Sequence, residues 1–230
     1  MSSLNHPHDD QPPLQSKAPS SSRRRLIKLG AGAVPVALTL ASRPVFAAGT
    51  CNTTSAWGSA ILRNGVSSVQ ARAALTAVPD PVWSLSQLLN DMSVTGVGGG
   101  TNPWTKIYNQ NFPGASVPAG QTKSTVAQAK LKVSTLFPLG VSAYHDTADN
   151  VFAYLQAHKS TSNFVTAMLV ARINYIFGGT GVSQCLTSSQ DPDVLGAMAL
   201  GRFPSGSSSN SSWTTTNILD YLSKNGIVLP

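Results

Sequence analysis

Asn163-Phe164-Val165-Thr166-Ala167-Met168-Leu169-Val170-Ala171-Arg172-Ile173-Asn174-Tyr175-Ile176-Phe177, closed by Gly178-Gly179, is the stretch that decides the fold. At 100° per residue, Phe164, Met168, Ala171 and Tyr175 line one stripe, and Val165, Leu169 and Ile176 line a second. Val170, Ile173 and Phe177 fill the remaining sides, so a helix here is apolar nearly all round and belongs inside a core. Its fifteen residues fall short of the roughly 20 needed to span a bilayer. A central helix of this kind has to be covered by other elements.

Helix punctuation on both sides supplies them. Asp80-Pro81 is an N-cap followed by a first-turn proline and predicts a helix over 82–93, with Trp83, Leu85, Leu88 and Leu89 apolar. Ser67 or Ser68 opens a short helix to residue 77, and Ser124 opens another to residue 136, ahead of Pro138. Asp146-Thr147-Ala148-Asp149 reads as a capping-box variant starting a helix that ends at His158. Asp191-Pro192 repeats the cap-then-proline device before 194–200. Thr215 or Thr216 begins the last helix, which runs to Lys224 with Gly226 as its C-cap. Loops of low apolar content fill 96–103, 109–122, 178–190 and 204–214, the last with a Ser/Gly/Asn-rich run at 205–212. No run alternates apolar and polar residues long enough to predict a strand. The expected fold is all-α: one helical domain of about six to eight short helices with Gly/Ser-rich loops over residues 48–230.

Residues 1–47 read differently. Positions 2–22 are rich in Ser, Pro and Gln, a disordered composition. Ser22-Arg23-Arg24-Arg25-Leu26-Ile27-Lys28 then precedes a mildly apolar run over 29–41, interrupted by Gly30, Gly32 and Pro35. A basic n-region, a short apolar h-region and the small-residue site Val45-Phe46-Ala47 together make a cleavable signal peptide, with cleavage after Ala47. The Ser-Arg-Arg-x-apolar-apolar-Lys pattern at Arg23 and Arg24, with Arg43 just before the cut, points to the twin-arginine route. That signal is an address read by a receptor and not an anchor. The expected export partners are the twin-arginine translocase and signal peptidase. The apolar run is too short for a stable membrane span in the mature form. The expected location is outside the cytoplasm: periplasm, cell envelope or beyond.

Removing the leader changes the charge balance. The chain has 16 Lys plus Arg against 9 Asp and no Glu. Lys17, Arg23, Arg24, Arg25, Lys28 and Arg43 lie in the leader with Asp9 and Asp10, which leaves 10 bases and 7 acids in residues 48–230. The remaining bases are scattered, so a nucleic-acid partner, which needs a basic stripe or patch, is excluded. The missing glutamate rules out His-Glu-x-x-His metalloprotease chemistry. The two cysteines, Cys51 and Cys185, lack Cys-x-x-Cys spacing and predict one disulfide in an oxidising compartment.

Local motifs for chemistry fail one after another. His145 and Asp149 form the densest polar cluster, with His158 downstream, and suit a metal or acid–base site. On one helix, however, His158 falls near Val151 and Leu155 while Asp149 falls on the opposite face. His145 with a residue from elsewhere is the surviving form. Asp191-Pro192-Asp193 begins like a calcium loop, but the closing carboxylate position is Arg202. Three Gly-Val-Ser segments, at Gly65, Gly140 and Gly181, lack the second glycine of a nucleophile elbow. Gly98-Gly99-Gly100 lacks the Gly-Lys-Ser/Thr of a phosphate loop, with Lys106 too far on. Trp104 and Trp213, in polar loops, are the two tryptophans available as a sugar-stacking platform. No catalytic residue, metal ligand set or cofactor is assigned.

Leu38-Thr39-Leu40-Ala41-Ser42-Arg43-Pro44-Val45, then Cys51 and Ser55-Ala56-Trp57-Gly58-Ser59, resembles a group of uncharacterised twin-arginine-exported proteins of proteobacteria. The resemblance is specific over 22–59 and extends loosely to the helices around 164–174 and 218–222. The Gly-Tyr-Trp-Lys segment associated with that group is replaced here by Pro103-Trp104-Thr105-Lys106. The resemblance implies export and brings no activity or functional residue with it. Two expectations follow: a non-catalytic envelope or secreted protein with a binding or structural role, or a periplasmic hydrolase or metal-dependent enzyme using dispersed His and Asp residues.

Overall fold

Eight α-helices and no β-strand make up the described residues of the computed structural model, which are Thr54, Trp57, 81–146, 149–179, 182, 185–186, 192–204 and 213–230. The helices are α1 (Leu85–Leu89), α2 (Pro103–Asn111), α3 (Lys123–Lys130), α4 (Val133–Leu136), α5 (Val151–Ala157), α6 (Phe164–Ile173), α7 (Val194–Ala199) and α8 (Thr215–Lys224). The all-α expectation holds. The leader, the Ala47 cleavage site, Cys51 and the helix expected up to residue 77 lie outside the described residues.

The decisive stretch is the core. Asn163 caps α6 through a bond from the Thr166 amide, and Val165 to Ala171 and Ile173 are all buried. The helix packs against α4, α5, α7 and α8. Each large apolar side chain so buried contributes about 1.5–3 kcal/mol, which is why an element without a polar face is stable here. After Ile173 the backbone widens into a single π-helical turn, Asn174–Gly178. Within that turn Asn174 is wholly buried, while Ile176 is exposed. π turns of this kind are uncommon, and the widening sets the facing of the residues beyond it.

Four other elements depart from their expected bounds for identifiable reasons. α1 starts at Leu85 and not at residue 82, because Ser84 forms a capping box with Gln87. Trp83 stays outside the helix, since its backbone N–H and C=O are both bonded to the Asn174 side chain, at 2.9 and 3.0 Å. The single helix expected over 124–136 is two. Asn150 donates its amide to the Gln128 and Ala129 carbonyls, at 3.0 Å each, and Val151 N–H reaches Leu131 O. These bonds satisfy the last carbonyls of α3 and end it. The same Asn150 accepts from the Ala153 amide at 2.7 Å and caps α5, displacing the expected cap at Asp146.

α2 occupies residues expected to be loop. Asn102 makes no side-chain cap there; instead Asp91, held at φ 50°, reaches across to accept from the Trp104 amide at 3.1 Å. That cap lies 13 positions back in the chain, so local punctuation does not reveal it. α7 takes its N-cap from Asp193, which accepts from Gly196 N–H. Asp191, the expected cap, lies outside the described residues. α8 starts after Thr214 and ends at Asn225, with Gly226 in the left-handed region at φ 65°, close to expectation.

Candidate functional site

Ten aromatic side chains join the aliphatic residues in the core among the described residues. Trp104 and Trp213, expected in polar loops, are both buried, and neither offers a face to a sugar. Trp104 sits in the first turn of α2, donates Nε1–H to the Leu88 carbonyl at 2.6 Å, and meets Phe152 edge-on. Trp213 stands between Phe203 and Tyr221, with ring centroids 4.9 and 5.2 Å away. The sugar-stacking expectation is corrected: burial of a large apolar ring outweighs the polar neighbours that made these segments look like loops.

The polar corner expected around His145 and Asp149 separates into structural roles. Asp149, at φ 44°, accepts from Ser134 N–H at 3.0 Å and from the Ser134 hydroxyl at 2.7 Å. Those bonds, the hydroxyl one foremost, hold its carboxyl below the usual carboxylate range. It therefore anchors the start of α4 and is not free to accept a proton from substrate. His145 is exposed, and no hydrogen bond or ion pair joins it to a carboxylate among the described residues. His158 is not on a buried apolar face: it is the exposed C-cap residue of α5, stacked on Tyr154 at 4.3 Å.

Tyr154 also lies beside Tyr144, with the two ring centroids 5.3 Å apart. Burial, followed by the nearby Asp146 and Asp149 charges, raises the Tyr144 hydroxyl above its ordinary value. These tyrosines stay protonated and neutral throughout the physiological range. The arrangement buttresses α5 and lacks a proton donor–acceptor pair. Among the described residues no three His, Cys or Asp side chains come close enough to share an ion.

A second cluster was not singled out from sequence. Arg172, the one charge in α6, is 13% exposed. Its Nε donates to the Leu136 carbonyl at 2.9 Å, and its two terminal nitrogens donate to the Asp193 oxygens at 2.5 and 3.0 Å. The guanidinium lies over the Phe137 ring at 5.3 Å. A forked pair of this kind uses the donor geometry of arginine fully. Beside it, Phe137, Pro138, Leu139, Gly140, Asp193 and Gly196 line a shallow cleft with room for about one or two waters, too small for an organic substrate. On its rim Leu139 is 80% exposed, at the tip of a turn closed by a bond from Gly140 N–H to Phe137 O.

Asp193→Ala removes the α7 cap and half of the ion pair together. The expected loss is about 1–2 kcal/mol, mostly from the cap, since the Asp193 carboxylate is half exposed and solvent screens the charge term. Urea unfolding followed by circular dichroism measures it. An unchanged midpoint would show that neither contact matters to the fold.

No family model, curated protein or solved structure matches this chain.

Proposed function

We propose that this protein is a non-catalytic binding or structural component of the cell envelope or its surroundings, exported by the twin-arginine route and closed by a Cys51–Cys185 disulfide. The observation that carries the proposal is the Ser22–Lys28 pattern with the Ala47 site behind it. The geometry above supports the non-catalytic half. Asp149 is spent on anchoring α4 and His158 on stacking against Tyr154, while among the described residues His145 meets no carboxylate and the exposed large apolar side chains are Met92, Val117, Leu139 and Ile176.

Cells expressing the full chain, fractionated and analysed by intact mass, test the export reading. The exported form should begin at Ala48, and Arg23→Lys combined with Arg24→Lys should leave at least tenfold less of it, with precursor accumulating inside the cell. Undiminished export of the double variant would refute the twin-arginine route. A histidine- or aspartate-dependent turnover found in the purified protein would refute the non-catalytic reading.

A further inference from the structure

Residues 225–230 leave the end of α8 as a strap tied back to earlier elements, and the strap begins with Asn225 and Gly226. Ile227 and Val228 are buried, and their N–H groups both donate to the Leu222 carbonyl, at 2.9 and 3.3 Å. The Ile227 carbonyl accepts from the Asn174 side chain at 3.3 Å, and the Leu229 carbonyl accepts from the Leu85 amide at 3.0 Å. Asn225 is itself buried, and its side-chain amide donates to the Tyr221 carbonyl at 2.8 Å.

An Asn-Gly pair carries its own chemistry, because glycine has no side chain to shield the amide nitrogen that follows the asparagine. The Gly226 nitrogen can attack the side-chain carbonyl carbon of Asn225. A C–N bond forms, and the side-chain amide leaves as ammonia with the Gly226 proton. Water then opens the five-membered imide at either of its two carbonyl carbons, giving an aspartate or an isoaspartate. The step is a hydrolysis, with water in, ammonia out and no change of oxidation state. In the folded chain both reactants are restrained. At ψ 8° of Asn225 the Gly226 nitrogen eclipses the Asn225 nitrogen and is turned away from the side chain it would attack. Its N–H is engaged by the Ser223 carbonyl at 3.1 Å, and the Asn225 amide is held by Tyr221.

We infer that Asn225–Gly226 is a one-way catch on the C-terminal strap: seated, it is protected from deamidation; once the strap opens, it deamidates and cannot be seated again. An aspartate has no donor for the Tyr221 carbonyl and would set a buried charge against it. An isoaspartate lengthens the backbone by one methylene, which throws Ile227 and Leu229 out of register with Asn174 and Leu85. Opening of a single segment costs less than unfolding the whole domain, so the strap can lift while α6 keeps its place. Water and time suffice for the reaction, so the catch works the same wherever the chain is deposited.

Purified full chain kept in mildly alkaline buffer, with and without urea above the unfolding midpoint, tests the catch. Peptides cut at low pH are weighed for conversion of Asn225, with Asn64-Gly65, the other Asn-Gly pair of the sequence, followed separately. Folded chain should lose Asn225 at least tenfold more slowly than unfolded chain, and Ile227→Ala, which loosens the strap, should narrow that gap. The aged form, separated by its added negative charge, should exchange its Leu85, Ile227 and Val228 amides at least tenfold faster while the α6 amides stay protected. Asn225→Asp should show the same pattern from the start. Equal loss of Asn225 in folded and unfolded chain overturns the inference. So does aged protein whose strap amides are as protected as before, and so does aged protein in which α6 loses protection along with the strap.

Discussion

Asn174→Ala is expected to lower stability by about 4 kcal/mol or more, a large share of the roughly 5–15 kcal/mol that holds a domain together. The side chain uses its acceptor for the Trp83 amide at 2.9 Å and its two donors for the Trp83 and Ile227 carbonyls, at 3.0 and 3.3 Å. All of it is buried, so truncation orphans three backbone groups where water cannot reach them, at about 1–3 kcal/mol each. The urea midpoint should fall by about 2 M, taking a slope near 2 kcal/mol/M for a chain of this size. Asn174→Leu restores volume but no hydrogen bond, and should fall nearly as far. Asn174→Asp should be the worst of the three at neutral pH, because a carboxylate would face two carbonyl oxygens in a dry site. A midpoint shift under 0.5 M for the leucine variant would mean that the polar contacts are dispensable.

Gly98→Ala is the second large effect, and Gly99→Ala is its control. Both residues lie in the left-handed region, at φ 55° and 74°, where a side chain costs about 1–2 kcal/mol. At Gly99 a Cβ would meet nothing within 4 Å. At Gly98 it would stand 2.6 and 2.8 Å from two atoms of the Trp83 ring, which is fully buried and has nowhere to turn. Gly98 N–H also donates to the Gly178 carbonyl at 2.7 Å, so the loop cannot back away without breaking its tie to the π turn. Overpacking should add about 1–3 kcal/mol, making Gly98→Ala clearly less stable than Gly99→Ala in parallel denaturation curves. Equal costs at the two positions would show that the glycines serve the backbone alone.

Several residues acting through their own neighbours were legible in the sequence, with the Ser84–Gln87 capping box a local exception, and those acting through distant ones were not. The apolar circumference of α6 and the start of α8 follow from spacing within one turn. The beginning of α2 depends on Asp91, and the end of α3 on Asn150, 21 and 22 positions from the carbonyls it covers. Periodicity carries no trace of such bonds. The same limit governs the candidate sites. Asp149 looked like a helix cap or a ligand and is a cap, but for α4 and not α5. Trp104 and Trp213 looked exposed because their sequence neighbours are polar, although their neighbours in space are aromatic. Arg172 and Asn174 were visible as the polar interruptions of an apolar run. Their partners, Asp193, Trp83 and Ile227, were not.

The apolar girth of α6 has a consequence for synthesis. Two of the helices that cover it, α7 and α8, follow it in the chain, and α8 begins 42 positions after Ile173. At about 5–20 residues per second, a ribosome needs roughly 2–8 s to make that stretch. Throughout the interval this apolar helix exists with half of the helices that cover it unmade. A newly made chain in that condition is a natural client for a chaperone, and slowing translation between residues 174 and 215 should lengthen the engagement.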